Sequence, residues 1–249
     1  IRSIAGAASD AADPDDVNTK SDDHAIDAWR YGAMSRPAPA ALPLARPRYA
    51  DGTMGVDLNR NYGFMWGTGG SSDDGSSDVY MGEQPFSEPE STAIRDFVSS
   101  HLNAKVLLSF HTFSELVLYP WGGKNDPIQN TRDRAVFEKM GRTMAGWNGY
   151  TPEQASDLYV ASGDTTDWAY GTHGIFAFTF ELSPKSMWEG GFYPGAGVID
   201  RVFNANLRPC LYMIDVADDP YRVLNMPAAL SPASRYEQNP MELIFPFKG

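Results

Sequence analysis

An internal disulfide is excluded, because Cys210 is the only cysteine among the 249 residues of the chain. No run of about 18 apolar residues occurs either, so the sequence predicts no membrane-spanning helix. Positive charge is scarce: 20 Lys and Arg stand against 32 Asp and Glu, which gives a net charge of −12. A protein surface that binds nucleic acid needs patches of basic residues. We therefore expect neither nucleic acid nor a membrane among the partners of this protein.

A secretory signal peptide is not evident, because Ile1 and Arg2 are followed by alanines and acidic residues instead of an apolar core. The 42% share of hydrophobic residues is enough for one substantial core. No feature of the sequence indicates the oligomeric state.

Each of two apolar segments has a residue with an ionisable side chain near its C-terminal end. Residues 175–182 read IFAFTFEL, which is typical of a strand covered on both faces, and Glu181 is the only charged residue in it. Residues 107–111 form a second such segment, which ends in His111. A carboxylate so placed is costly unless it faces a solvated cleft, a metal or a cation. Since sites in open α/β sheets assemble at strand ends, both residues are candidates for a functional site.

Strands that alternate with helices along the chain predict an α/β fold, with a mixed β-sheet flanked by helices. In the last helix, Pro209 is expected to begin a new turn or to introduce a kink. The apolar patterns predict strands over 105–111, 115–119 and 175–182, and helices over about 88–101, 131–147 and 195–217.

Four short motifs follow one another along the chain: GVDLNRNY from Gly55, SFHTFSEL from Ser109, DLY from Asp157 and FTFE from Phe178. In order and spacing they resemble the zinc carboxypeptidases, most nearly the bacterial, broad-specificity carboxypeptidase T branch. The resemblance runs over residues 51–222. It implies a carboxypeptidase-like catalytic domain that lacks the N-terminal part of the family fold.

The resemblance implies a hydrolytic centre. In this family two histidines and one glutamate hold zinc and leave a position open for water, and another glutamate moves the proton of that water. By this resemblance His111 is a zinc ligand, Glu181 is the general base and Zn²⁺ is the cofactor. Close relatives are secreted, so an extracellular location is implied as well.

The resemblance also implies how a substrate docks. Asn59 and Arg60 would clamp the terminal carboxylate of a peptide, a planar anion that suits the guanidinium fork. Tyr159 would close over that carboxylate. Asp164 matches the acidic pocket residue of the broad-specificity branch, which implies tolerance of basic as well as apolar terminal side chains. The implied partners are therefore peptide or protein C-termini.

The sequence departs from the family in its metal ligands. No His-x-x-Glu pair precedes Asn59, and the closest imitation is His24 with Asp27, at a shorter spacing than the family uses. The arginine that stabilises the oxyanion in the family has no counterpart in register. Because one imidazole holds zinc poorly, and because one oxyanion donor is worth about 10²–10³ in turnover, this chain by itself is expected to be a poor peptidase or none.

The N-terminal segment of the chain resembles a different family. Residues 1–37 resemble the C-terminal edge of a phage terminase large subunit, through DDHAIDAWRYG from Asp22 and MSRP from Met34. Residues 37–48 have the composition of a polyproline linker. We therefore divide the chain into an N-terminal segment over 1–50, the carboxypeptidase-like domain over 51–222 and an unassigned tail over 223–249. The Gly/Ser/Asp-rich loop over 67–77 is either a solvated loop or a Ca²⁺ site.

Three functions stay open from the sequence. The first is a metallocarboxypeptidase-type hydrolase that removes C-terminal residues from peptides. The second is a non-catalytic module that binds peptide C-termini with the same clamp. The third is a phage-packaging remnant defined by the N-terminal segment.

Overall fold

The structure is a computed structural model, and it describes residues 55–226. The predictions about residues 1–37, about the linker, about His24 and Asp27, and about the tail beyond residue 226 lie outside the described residues. The helices and strands below are numbered in chain order. They are α1 (Pro89–Ser100), β1 (Val106–Thr112), β2 (Leu116–Tyr119), α2 (Thr131–Asn148), β3 (Thr151–Gln154), α3 (Ala155–Leu158), α4 (Thr165–His173), β4 (Phe176–Leu182) and α5 (Ile199–Asp215), with 3-10 helices over Leu58–Arg60, Met187–Glu189, Ala196–Val198 and Pro220–Asn225.

The four strands form one mixed sheet in the order β1-β4-β2-β3. β4 runs parallel to β1 and antiparallel to β2, and β2 runs parallel to β3. The helices pack against this sheet, as the sequence predicts, and the three predicted strands are confirmed to within one residue at each end.

β4 separates two cores of different size. Side chains of successive strand residues point to opposite faces. Phe176, Phe178 and Phe180 belong to the larger core, and Ala177 belongs to the smaller core. All residues of β4 except the last are buried, which is the reason for its unbroken apolar sequence. On the face of β4 that carries Ala177, the following side chains are polar: Thr179 and then Glu181. The candidate functional site begins at these residues.

Helix α2 covers the larger core. The side chain of Asn130 caps it by accepting hydrogen bonds from the backbone N–H groups of Arg132 and Asp133. The helix ends at Gly149, whose φ of 77° lies in the left-handed region that favours glycine. Phe137 is fully buried, and its ring centroid lies 4.9 Å from that of Phe176 and 5.3 Å from that of Phe178.

Several elements differ from the sequence prediction. β3 was not predicted, because its four residues include Pro152 and lack alternation; a proline is tolerated there since β3 is the outer strand of the sheet. Helix α4 was not predicted either. Helix α5 is continuous through Pro209, so the proline lies inside the helix, and the predicted kink stays a prediction. Cys210 is half-buried in α5, and burial raises the pKa of its thiol to about 12, so the thiol is unreactive at neutral pH.

Asn61 ties the loop over residues 81–91 to the start of the domain. It is fully buried. Its Nδ2 donates to the carbonyl oxygens of Met81 and Gln84 and to Ser87 Oγ, and its Oδ1 accepts from Ser91 Oγ at 2.6 Å.

We expect Asn61→Ala to lower the free energy of unfolding by about 3 kcal/mol, because it removes these bonds and leaves buried partners unsatisfied. Urea denaturation measures the change. Asn103→Ala, at an exposed asparagine, is the control and should change stability by less than about 0.5 kcal/mol. Equal effects of the two substitutions would contradict the assigned role of Asn61.

Candidate functional site

The strand register places the two candidate chemical groups side by side. His111 of β1 is the direct Cα partner of Glu181 in the parallel neighbour β4. Register partners in a sheet point their side chains to the same face. The imidazole and the carboxyl therefore share one face of the sheet, at the C-terminal ends of two parallel strands. This is the edge at which open α/β sheets bind ligands.

A cleft opens on the same face beside Glu181. Its volume of about 380 Å³ includes space that is open to solvent. Five of the six described residues that the sequence singles out line this cleft, and His111, the sixth, lies outside its wall. The lining residues used below are Asn59, Arg60, Gly122, Tyr159, Asp164, Thr179 and Glu181.

Arg60 brings a buried positive charge to the cleft. Its exposed fraction is only 5%. Its Nε donates to the carbonyl oxygen of Gly70 at 3.1 Å, and its Nη1 donates to the carbonyl oxygen of Asn59 at 2.8 Å. Within residues 55–226 no salt bridge to a carboxylate includes Arg60. A buried guanidinium held by carbonyl oxygens alone is suited to an anionic ligand.

Gly70 makes this geometry possible. Its φ of 66° favours glycine, and a Cβ there would overlap the carbonyl oxygen of Val160. The close approach of the two backbone segments holds the Gly70 carbonyl against Arg60.

The side chain of Asn59 is oriented by Thr165. Asn59 Oδ1 accepts from the backbone N–H of Thr165 at 3.1 Å and from its Oγ1 at 3.2 Å. Because the oxygen is used in this way, the amide NH₂ of Asn59 is the part that can donate to a ligand carboxylate. Asp57 caps the 3-10 helix by accepting from the backbone N–H of Asn59, which fixes the position of both clamp residues.

Tyr159 lies over the clamp. It follows α3, more than half of its surface is exposed, and the Cζ atom of Arg60 lies 5.7 Å from the centre of its ring. An exposed ring at this distance from a guanidinium makes a weak cation–π contact. The position agrees with the predicted closing role, which stays a prediction.

Asp164 is a buried residue of the cleft wall, and Asp167 is buried close to it in sequence. Asp164 caps α4: its Oδ1 accepts from the backbone N–H of Asp167 and from Thr166 Oγ1. Asp167 accepts from the backbone N–H groups of Gly122 and Gly123, both at 2.9 Å. Burial raises the pKa of both carboxyls, and for Asp167, with the charge of Asp164 as a second cause, to about 8.

The raised pKa of Asp167 makes stability depend on pH. Between the ordinary pKa of 3.8 and about 8 the folded chain binds more protons here than the unfolded chain does, so stability falls as the pH rises through this interval. We expect the free energy of unfolding to fall by at least about 1 kcal/mol from pH 5 to pH 8 in the native chain, and by less in Asp167→Asn. Urea denaturation at several pH values tests this, and a fall that is the same in both chains would contradict it.

Burial also changes the pKa values of the paired groups on the sheet. It raises the pKa of Glu181 to about 7. It lowers the pKa of His111, to which the charge of Arg60 also contributes, while Asp57 opposes the change. His111 Nε2 lies 3.1 Å from Ser109 Oγ. A carboxyl with a pKa near 7 beside a neutral imidazole is suited to proton transfer at neutral pH.

The described residues do not form a metal site by themselves. Within residues 55–226 no group of three His, Cys, Asp or Glu side chains is close enough to hold an ion. His111 is the one histidine in the predicted ligand set that lies in this range, so two further zinc ligands would have to come from elsewhere. The Ca²⁺ interpretation of the loop over 67–77 is not supported, since Asp74 Oδ1 instead accepts two hydrogen bonds from Ser76.

Three residues near the cleft were not singled out from the sequence. Thr179 could have been found, because it stands two positions before Glu181 and therefore shares its face of β4. Thr165 and Asp167 could not, because their roles depend on contacts with Asn59 and with the Gly122–Gly123 segment, both distant in sequence.

An α/β sheet with a cleft at the C-terminal ends of its parallel strands, and with a histidine and a glutamate as register partners there, is typical of ligand-binding α/β proteins. Within that class, the chain belongs to the zinc carboxypeptidase family, whose family model matches residues 20–208. The match begins N-terminal to residue 51, where the resemblance was predicted to start. The phage-terminase likeness of residues 1–37 finds no support in the comparisons.

Curated relatives match over part of their length. The chain is 39% identical over 134 residues to carboxypeptidase A5 of Macaca fascicularis, covering 52% of this chain and 30% of that protein. It is 39% identical over 154 residues to a zinc carboxypeptidase of Saccharothrix mutabilis subsp. capreolus, covering 59% and 35%. Carboxypeptidase A1 of Mus musculus is 33% identical over 172 residues, covering 68% and 41%. The chain thus spans about a third of the length of these relatives.

Solved structures agree with the fold. Carboxypeptidase A from Helicoverpa armigera aligns with a TM-score of 0.57 and 31% identity, over 71% of this chain and 44% of that one. Bovine thrombin-activatable fibrinolysis inhibitor, solved with tick carboxypeptidase inhibitor, aligns with a TM-score of 0.57 and 26% identity, over 72% and 61%. The mixed sheet is therefore a partial carboxypeptidase fold, as predicted. None of the helices within residues 55–226 has the length and apolar character needed to span a bilayer.

Proposed function

We propose that this chain is a metallocarboxypeptidase-type hydrolase that recognises the C-terminal residue of peptides or proteins, with Glu181 as the general base of cleavage. The observation that carries the proposal is the cleft beside Glu181, in which Arg60 presents a buried positive charge. The extracellular location implied by the family resemblance is part of the same proposal.

Docking follows from the contacts of the clamp. The terminal carboxylate binds to the guanidinium of Arg60 and to the amide NH₂ of Asn59, and Tyr159 covers it from the open side. The side chain of the terminal residue then extends towards Asp164 on the wall of the cleft. Because Arg60 is buried, such a charge-assisted pair is worth more than the same pair on the surface.

Glu181 lies on the wall of the cleft, at the end next to His111. With a pKa near 7, its carboxyl can take a proton from water and return it to a leaving amine. Zinc, when bound, supplies a polarised water in this family. Here His111 would contribute one ligand, and the remaining ligands would come from outside residues 55–226.

A second function, a non-catalytic module that binds peptide C-termini, is favoured by one specific observation. Within the described residues the clamp is complete, whereas the group of three ligands that a metal needs is not. The module would use the same cleft and the same clamp without cleavage.

Zinc stoichiometry and cleavage separate the two functions. The hydrolase binds about one zinc per chain, loses it on His111→Ala, and releases the terminal residue from peptides that end in Leu or Arg. The module binds the same peptides without zinc and without cleavage. Mass spectrometry of the native protein measures the bound zinc, and mass spectrometry of the peptide measures its cleavage. A chain that binds neither zinc nor peptide would contradict both functions.

A further inference from the structure

A network of polar side chains lies at the end of β4, outside the wall of the cleft. Ser183 directly follows β4, two residues after Glu181. Its backbone N–H donates to the hydroxyl of Tyr150 at 3.0 Å, and its Oγ donates to Glu115 Oε1 at 2.7 Å. Asn206 Nδ2 donates to the same hydroxyl at 3.1 Å. These four residues, Glu115, Tyr150, Ser183 and Asn206, are called the strand-end network below.

The protons of the strand-end network have one consistent order. Ser183 N–H and Asn206 Nδ2 both donate to the Tyr150 oxygen, which uses the two acceptor positions of a hydroxyl. Ser183 Oγ donates its single proton to Glu115, so Tyr150 is the donor in the 3.2 Å contact between the two hydroxyl oxygens. The Tyr150 hydroxyl thus makes three hydrogen bonds. Its removal would leave two N–H groups without this acceptor, which is costly in a buried position.

Two long helices fix the position of Tyr150. Asn206 is fully buried in α5, and its Nδ2 also donates to the carbonyl oxygen of Val202 at 2.9 Å. Its Oδ1 accepts from Nδ2 of Asn148, the last residue of α2, at 3.1 Å. Asn148 Oδ1 in turn accepts from the backbone N–H of Tyr150 at 3.0 Å. Both the backbone and the hydroxyl of Tyr150 are therefore tied to the helices of the larger core.

Glu115 ties the other end of the network to the neighbouring strands. It directly precedes β2, whose first residue, Leu116, is the register partner of Glu181. The carbonyl oxygen of Glu115 accepts from the backbone N–H of Thr151 at the start of β3. The hydrogen bond from Ser183 to Glu115 therefore lies next to the point where β2 pairs with Glu181.

Glu181 depends on its backbone for its position. Burial alone raises the pKa of its carboxyl, and within residues 55–226 no hydrogen bond orients this group. The carboxyl therefore lies where the end of β4 places it. A displacement of about 1 Å in a reacting group can cost about 100-fold in rate, so the fixing of this strand end matters for proton transfer.

We propose that the strand-end network fixes the end of β4 and that Tyr150 is thereby a positioning residue for Glu181. Tyr150 acts through the backbone of Ser183 and does not touch the substrate. The inference rests on the proposed role of Glu181 in cleavage. The fixing of the strand end is measurable without cleavage.

Amide hydrogen exchange of the full chain, followed by NMR, tests the strand end directly. Tyr150→Phe removes the hydroxyl and keeps the ring in the core. We expect exchange at Glu181 and Leu182 to accelerate at least about tenfold more than exchange at Ala177 and Phe178, because the opening is local. Tyr212→Phe is the matched control.

Tyr212 is a buried tyrosine of α5 whose hydroxyl interacts with Thr143 of α2. Its replacement should change exchange at the two ends of β4 to the same extent, because this hydroxyl belongs to a different contact.

Cleavage and binding should respond differently to Tyr150→Phe. We expect kcat to fall at least about tenfold, whereas the Kd of N-acetyl-L-leucine, which carries a free terminal carboxylate, should change by less than about threefold, because Asn59 and Arg60 lie on another segment. Glu115→Gln keeps an acceptor oxygen for Ser183 and should recover most of what Glu115→Ala loses. This second pair carries the same test if Tyr150→Phe does not fold.

The outcomes separate the inference from the proposed function. Equal acceleration along β4, or native exchange at Glu181, overturns the inference while the hydrolase function stands. Local acceleration with native kcat overturns the positioning role of Tyr150. A native chain that does not cleave contradicts the hydrolase function and with it the role of Tyr150 in cleavage, whereas the exchange result still decides whether the network fixes the strand end.

Discussion

Replacing Arg60 by Gln is expected to weaken binding of N-acetyl-L-leucine at least about 30-fold. Removing one partner of a buried charge pair costs about 2–5 kcal/mol, much of it because the other charge is left unpaired. Here the remaining charge would be the carboxylate of the ligand, in a cleft where Arg60 is 5% exposed. Calorimetric titration at neutral pH measures the change.

Two further variants make this result specific. Arg60→Lys keeps the charge but not the fork, and it should recover only part of the affinity. Arg142→Gln removes an exposed arginine that pairs with Glu138 on α2, and it should leave affinity unchanged. Circular dichroism shows whether each variant is folded, since Arg60 also holds two carbonyl oxygens. A folded Arg60→Gln chain with native affinity would contradict the proposed role of Arg60 in binding the terminal carboxylate.

Replacing Glu181 by Gln is expected to lower kcat/KM for peptide cleavage at least about 100-fold, the low end of what a general base contributes. Binding of N-acetyl-L-leucine should change by less than about threefold, because the docking contacts lie elsewhere in the cleft. The fold should tolerate the change, since burial already raises the pKa of Glu181 to about 7 and so favours its neutral form.

Glu153→Gln is the matched control for Glu181→Gln. Glu153 lies on β3, and burial raises its pKa as well, but it does not line the cleft. Its replacement should leave cleavage unchanged. Cleavage at the native rate in Glu181→Gln would show that another group moves the proton.

The sequence predicts the sheet well where its strands are buried on both faces. β4 is an unbroken apolar run because the larger core lies on one side of it and the smaller core on the other, and this doubly buried position is visible in composition alone. β3 leaves no such signal, because an outer strand of four residues can include Pro152 and stay polar.

The site is predictable to a smaller extent. The ends of two apolar segments point to His111 and Glu181, but only the register shows that they are direct partners on one face. The clamp residues follow from the family resemblance, and the structure adds that Thr165 orients Asn59. The burial of Asp167 depends on two backbone N–H groups more than 40 residues away in sequence, and no local pattern predicts such a contact.

The most direct test of the clamp compares two ligands that differ only at the carboxylate. N-acetyl-L-leucine carries the terminal charge, and N-acetyl-L-leucinamide replaces it by a neutral amide. We expect the full chain to bind the acid at least about 30-fold more tightly than the amide, and we expect Arg60→Gln to bind both equally. Equal affinity of the native chain for the two ligands would contradict recognition of a peptide C-terminus by this cleft.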